Sequence, residues 1–161
     1  MSNIPANFTD GSFTITDDAG VPNSATLLMS QGDLSFSGLV PDGREVIVSQ
    51  SRGATVGIRK GARAYPTISV SAILAGPSAA FQILALGETG GFTSTAADLG
   101  DYATVDFDFA FDFGAETRDI TGEDASLTSV EITEGETSTI SFSFQIAGPV
   151  SFDGTPVVSA R

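Results

Sequence analysis

The chain has no cysteine, no histidine and no tryptophan, and each absence removes a class of function. Without cysteine there is no disulfide framework, no thiol nucleophile and no thiolate metal site, and the redox compartment is left open. Without histidine the usual general base near neutral pH and the commonest metal ligand are both missing. Paired Ser-His and Cys-His nucleophiles cannot be built, zinc sites of the usual kind are excluded, and oxygen-ligand ions such as calcium are the metals still open. Basic residues are scarce too: seven Lys and Arg against twenty Asp and Glu give a net charge of −13. That balance opposes binding to phosphate backbones and anionic lipids. No apolar run approaches membrane-spanning length, and the start Met1-Ser-Asn-Ile-Pro lacks the basic-then-apolar order of a signal peptide. A chain made in a cytoplasm, without a membrane partner, is expected.

What is present is enough for one domain. At 161 residues and 41% hydrophobic, a single unit over residues 1–161 can bury most of its apolar surface. The dominant pattern is strict apolar/polar alternation, the period of a strand with one buried face. In Thr104 to Phe113, Val105, Phe107, Phe109, Phe111 and Phe113 share one face, and Asp106, Asp108 and Asp112 the other. A one-residue slip would bury three carboxylates, so the facing is well specified. Thr139 to Ala147 repeats the pattern with Ile140, Phe142, Phe144 and Ile146 inward. Further strands are expected at Ser12–Thr16, Thr26–Met29, Leu34–Leu39, Glu45–Ser49, Thr55–Arg59, Thr67–Leu74 and Ser126–Thr133. Gly, Pro, Asn or Asp separate most of them, and Glu134-Gly135-Glu136 reads as a tight hairpin into the Thr139 strand.

One stretch breaks the alternation. Residues 77–87 have Pro77 at a helix start, good helix formers inside and Gly87 at the stop, so one helix is predicted, with Phe81, Leu84 and Ala80 against the sheet. Charge is also uneven: Arg44, Arg52, Arg59, Lys60 and Arg63 are five of the seven basic residues, whereas residues 98–136 are strongly acidic.

Each candidate site has a plainer reading. Asp106 and Asp108 suggest glycosidase acids, but side by side on one strand they fit a solvated sheet face better than two acids flanking a scissile bond. Asp98, Asp101, Glu123 and Asp124, read as loop residues, could converge on calcium, yet no Asp-x-Asp-x-Asp-Gly loop is present. The glycine-rich basic segment 51–63 lacks the Gly-Lys-Ser or Gly-Lys-Thr ending of a phosphate-binding loop. It reads either as a solvated hairpin or as an arm that docks on an acidic surface of another copy, with docking favoured because opposite patches orient association.

In this order the features resemble the tail tube (major tail) proteins of long-tailed bacteriophages of the siphophage type. The resemblance rests on Arg52-Gly53, Arg59-Lys60-Gly61 and the Pro66–Leu74 segment as a hairpin arm feeding a core strand, on the helix at 77–87, and on Ala125–Val150 as a closing hairpin and C-terminal strand. It implies a mainly β fold: a β-sandwich with one flanking helix and a long hairpin arm at about residues 50–64. It implies a non-enzymatic, cofactor-free structural subunit of the virion tail, assembled in the host cytoplasm. Its rings of six would stack into a tube that encloses a tape-measure protein and conducts viral DNA without binding it specifically. Tail terminator and distal tail proteins would be further partners. Arg52, Arg59, Lys60 and Arg63 would be the subunit-interface arm, and Asp106, Asp108 and Asp112 are the candidates to line the bore. The alternatives are a capsid decoration or tail-tip adaptor protein and, behind them, a calcium-dependent adhesion module.

Overall fold

The computed structural model describes residues 12–27, 34–39, 43–73, 83–87, 90–95, 103–113 and 116–158, the side chains of residues 112 and 113 excepted. Its strands are β1 (Ser12–Thr16), β2 (Ser24–Leu27), β3 (Leu34–Ser37), β4 (Arg44–Ser51), β5 (Ala54–Arg63), β6 (Thr67–Ile73), β7 (Thr104–Phe113), β8 (Glu116–Thr133), β9 (Thr139–Ile146), β10 (Val150–Phe152) and β11 (Thr155–Val158). The chain is mainly β, and every ladder is antiparallel.

One sheet runs β2-β1-β7-β8-β9-β6-β3, with β10 also on β8 and β11 on β10; β4 and β5 pair separately. The large sheet is folded on itself. In a flat sheet β7 and β3 would lie roughly 19 Å apart at the usual strand spacing, yet the Phe36 and Phe107 ring centroids are 6.0 Å apart. The fold line is β8, whose first half pairs with β7 and β10 and whose second half pairs with β9. The result is a sandwich of two layers, β2-β1-β7-β8-β10-β11 and β8-β9-β6-β3, sharing β8.

The core sits between the layers. Phe13, Phe107, Phe109, Phe142 and Phe144 are buried there with Ile15, Ile68, Ile140 and Ile146. Phe13 stacks on Phe107 at 5.7 Å and Phe109 on Phe111 at 5.4 Å, offset contacts that add to the area they bury. Gly122 makes this possible where β8 bends, because a Cβ there would lie 2.3 Å from the Phe107 ring.

Several expectations shift. The strand expected from Ser126 begins at Glu116; between Glu116 and Asp124 the one apolar residue is Ile120, and Gly122 contributes space rather than a side chain. Glu123 and Asp124, expected in a loop, lie within β8 at an irregularity opposite Asp106, and Asp124 has φ +54°. The Glu134 hairpin is a longer connection, residues 134–138, between the paired Thr133 and Thr139. β10 and β11 were missed, although Asp153-Gly154 between them, with φ +48° and +70°, is a standard two-residue hairpin signal. Arg118 bridges this turn, ion-paired to Asp153 and to Glu116. Of the predicted helix, residues 77–82, including Phe81 and Ala80, lie outside the described residues. Ile83 and Leu84 are helical, and Gly87 closes the turn with φ +80°. Ile83 is the buried residue and Leu84 is exposed, a rotation of one residue, or about 100°, from the expected facing.

Candidate functional site

The basic residues lie on a hairpin that projects from the sandwich. Its tip is the two-residue turn Arg52-Gly53, with φ +50° and +81°, and both left-handed values belong to the turn that matches the twist of the strands. β4 and β5 are paired from Arg44↔Arg63 to Ser51↔Ala54, so the arm is longer than expected, spanning residues 44–63. At its base the Arg63 Nη2 donates to the Ala147 carbonyl at 2.9 Å, and the guanidinium lies 5.4 Å from the Tyr65 ring centroid. Ala64 N–H donates to the Gly43 carbonyl at 3.0 Å.

Beyond the base the arm is mostly exposed. Val46 is 65% exposed, Val56 66% and Ile58 70%. Val48 is directly opposite Ile58 and Val46 opposite Lys60, while Ile47 is opposite Arg59. Side chains alternate along a strand, so Lys60 shares a face with Val46, Val48 and Ile58, and Arg59 projects from the other face. The structure therefore separates the four predicted arm residues. Arg52 is at the tip, Arg59 and Lys60 are on opposite faces of the shank, and Arg63 ties the base to the body. The exposed valines and isoleucine were not singled out from sequence, although a β-branched run in a projecting hairpin is a signal for a contact surface.

The predicted acidic face is real and lies on an interior strand. β7 has β1 on one side and β8 on the other, so its acids do not protect a sheet edge. Asp106 accepts from Asp124 N–H at 3.1 Å. Burial raises its pKa; that hydrogen bond works against the rise, and the Asp124 carboxylate adds to it. Asp108 is raised by burial and then by the Asp119 carboxylate. The Asp112 side chain lies outside the described residues. So do Asp98 and Asp101 of the calcium option, and among the described residues no group of three or more acids is placed to hold a metal ion.

An acid that sequence reasoning passed over is the best satisfied. Asp17 is buried and accepts from Asn23 N–H at 2.7 Å, Asn23 Nδ2 at 3.0 Å, Thr93 N–H at 2.9 Å and Ala19 N–H at 3.3 Å. Burial pushes its pKa up, but the four hydrogen bonds outweigh it and hold the carboxyl below its ordinary value. Asp17 is a structural clamp that joins the β1–β2 connection to the loop after the helical turn.

The chain defines a two-layer antiparallel sandwich carrying a basic, partly apolar hairpin. No protein-family model matches it, and no curated protein sequence does. Solved structures do. A chain of the PVC sheath-tube complex of an extracellular contractile injection system in the extended state superposes with a TM-score of 0.58 at 14% identity, covering 93% of this chain and 92% of that one. A chain of the anti-feeding prophage (AFP) baseplate gives 0.60 at 10% identity, covering 94% and 97%. A chain of the PVC sheath/tube terminator in the extended state gives 0.60 at 12%, covering 94% and 99%. At these identities the likeness is one of fold, and the fold is tail-tube-like. The matched particles are contractile injection systems, so the likeness does not single out the siphophage type.

Proposed function

We propose that this chain is a structural subunit of the tube of a phage tail or tail-like particle. The observation that carries the reading is the superposition over more than nine-tenths of the chain on chains of a contractile injection system's sheath-tube complex and sheath/tube terminator. The projecting hairpin supports it, because a basic arm on a chain of net charge −13 gives acidic copies a way to associate that their average charge opposes. Copies form rings, which the family resemblance puts at six subunits. The rings stack into a hollow tube that encloses a tape-measure protein and is closed by terminator and distal proteins. The passenger is viral DNA in a phage tail.

A second reading has its own observation. The matched chain of the sheath/tube terminator structure is covered over 99% of its length, and a terminator would form one ring and stop. Negative-stain microscopy of concentrated protein decides between them: the tube reading gives stacked rings that lengthen with concentration, and the terminator reading gives single rings. Monomers at every concentration, with the tape-measure protein supplied, overturn both.

A further inference from the structure

We infer that self-association of this chain is gated by ionic strength: the acidic bodies repel one another until cations screen them, and the apolar face of the arm, rather than its basic residues, supplies the cohesion. The inference rests on the tube reading and deepens it, because it states the condition under which copies join.

The first observation is how charge is divided. Of the twenty acids Glu45 alone lies in residues 44–63, which hold five of the seven bases. The arm therefore carries a charge of +4 and the rest of the chain −17. The bases of the body are Arg118 and Arg161, and Arg118 is already shared by Glu116 and Asp153. The carboxylates of the body also crowd one another. Asp108 and Asp119 are diagonal neighbours on the outer face of β7 and β8, with Thr121 opposite the first and Ala110 opposite the second. Asp106 accepts from Asp124 N–H at 3.1 Å and is repelled by the Asp124 and Asp18 carboxylates. Burial and like charges raise the pKa of both Asp106 and Asp108, and among the described residues no basic side chain lowers either. The chain does not neutralise these acids itself, so the task falls to ions in solution. Diagonal neighbours across strands are about 7–8 Å apart, close to the roughly 8 Å Debye length of physiological salt, which falls to about 3 Å at 1 M. Dilute salt leaves the repulsion in place, and concentrated salt removes it.

The second observation is that the cations of the arm are too few and too exposed to offset this. Arg63 is engaged with its own body through the Ala147 carbonyl and the Tyr65 ring, and Arg44 stands opposite it at the same end of the ladder. Arg52, Arg59 and Lys60 are the bases further out, and all three are exposed. They steer the arm toward an acidic body, but exposed ion pairs contribute little and weaken as salt rises. Counted as charge products, the repulsion between two −17 bodies is about twice the attraction of both +4 arms for the opposite bodies. The face made by Val46, Val48, Val56 and Ile58 responds differently, because the gain from burying apolar surface is not a Coulomb interaction and is not screened. The two accounts of the arm therefore differ in sign. An arm that held copies by charge would assemble best in dilute buffer, whereas an apolar arm on repelling bodies assembles best in concentrated salt.

The test is sedimentation velocity with negative-stain microscopy across a KCl series at neutral pH and one protein concentration. The expected result is monomer in the most dilute buffer and stacked rings as the Debye length falls from about 8 to about 3 Å, between roughly 0.15 and 1 M. NaCl and tetramethylammonium chloride should give the same curve, because screening does not depend on the identity of the cation. Asp108→Asn with Asp119→Asn is expected to move the curve to lower KCl, and Ile58→Ser to lose assembly even in the strongest salt. Assembly that is strongest in dilute buffer and dissolves as KCl rises overturns the inference. So does a response to calcium that KCl of equal ionic strength does not reproduce, an unmoved curve for the Asn pair, or full assembly of Ile58→Ser. A chain that stays monomeric in every salt overturns the tube reading itself. Unfolding of the monomer in urea, followed over the same KCl series below the assembly concentration, reads the repulsion independently of any tube. The parent's midpoint is expected to rise with KCl more steeply than that of the Asn pair, and equal slopes overturn the inference whatever assembles.

Discussion

The sandwich and the arm use the same residue types for opposite ends. In the body, Phe142, Phe144 and Ile146 alternate with polar residues and are almost wholly buried against the facing layer. In the arm, Val46, Val48, Val56 and Ile58 share one face of a β-branched hairpin and are left in solvent. A strand pattern specifies that one face wants cover, but it does not say whether the cover comes from the same chain. Where it does, the residues hold the fold; where it does not, they are available to another molecule. The difference between body and arm is thus a difference in which equilibrium each side chain controls, folding or association.

Substitutions can test that division. The largest effect is expected in the body: Phe144→Ala should destabilise the monomer by about 3–5 kcal/mol in denaturant unfolding. Ile58→Ser in the arm should stay within about 0.5 kcal/mol of the parent while reducing self-association in sedimentation. A comparable loss of monomer stability from Ile58→Ser would erase the distinction. Next comes the clamp between the β1–β2 connection and residue 93. Asp17→Ala removes a charged acceptor from four donors and should cost roughly 2–3 kcal/mol at neutral pH. Because the folded carboxyl titrates below its ordinary value of 3.8, its contribution is fully present above that pH and is lost as pH falls through the folded pKa. The parent and the variant should therefore converge in strong acid, and a gap that stays constant with pH would contradict the clamp.

Smaller effects follow. Gly53→Ala forces a side chain into φ +81° and should cost about 1 kcal/mol locally, read as faster hydrogen exchange along β4 and β5 with the body unchanged. Arg59→Glu with Lys60→Glu alters both faces of the arm and should weaken polymerisation with little change in monomer stability; undiminished assembly would remove the arm from the interface. Asp106→Asn has the opposite sign to Asp17→Ala. The folded carboxyl is raised, so the ionised form is disfavoured by folding, and stability increases as pH falls through the folded pKa toward 3.8. The amide should stabilise the monomer slightly at neutral pH, and the gain should vanish below pH 3.8; a loss at neutral pH would show that the Asp124 hydrogen bond needs the charge.

The parts of this molecule that were legible in sequence are those where one residue type repeats at one period. β1, β7 and the Phe142–Phe144 strand were read at or within a residue of their bounds, and the Arg52-Gly53 turn announced the arm. The first half of β8 was hidden because its inward positions include Arg118 and Gly122, and the reason for Gly122 is a ring on β7 that only the fold brings near. Asp17 was one acid among twenty, distinguished only by donors at residues 19, 23 and 93 that converge in three dimensions. The exposure of the arm's apolar face could not be read from its pattern, because exposure depends on what else the chain places nearby.

The measurement that bears most directly on the tube reading is electron microscopy of the purified chain across a concentration series, paired with sedimentation velocity. Stacked rings that lengthen with concentration, and that Ile58→Ser and the Arg59–Lys60 reversal shorten or abolish, are the predicted result. A parent chain that sediments as a monomer throughout, with or without tape-measure protein, would contradict the account.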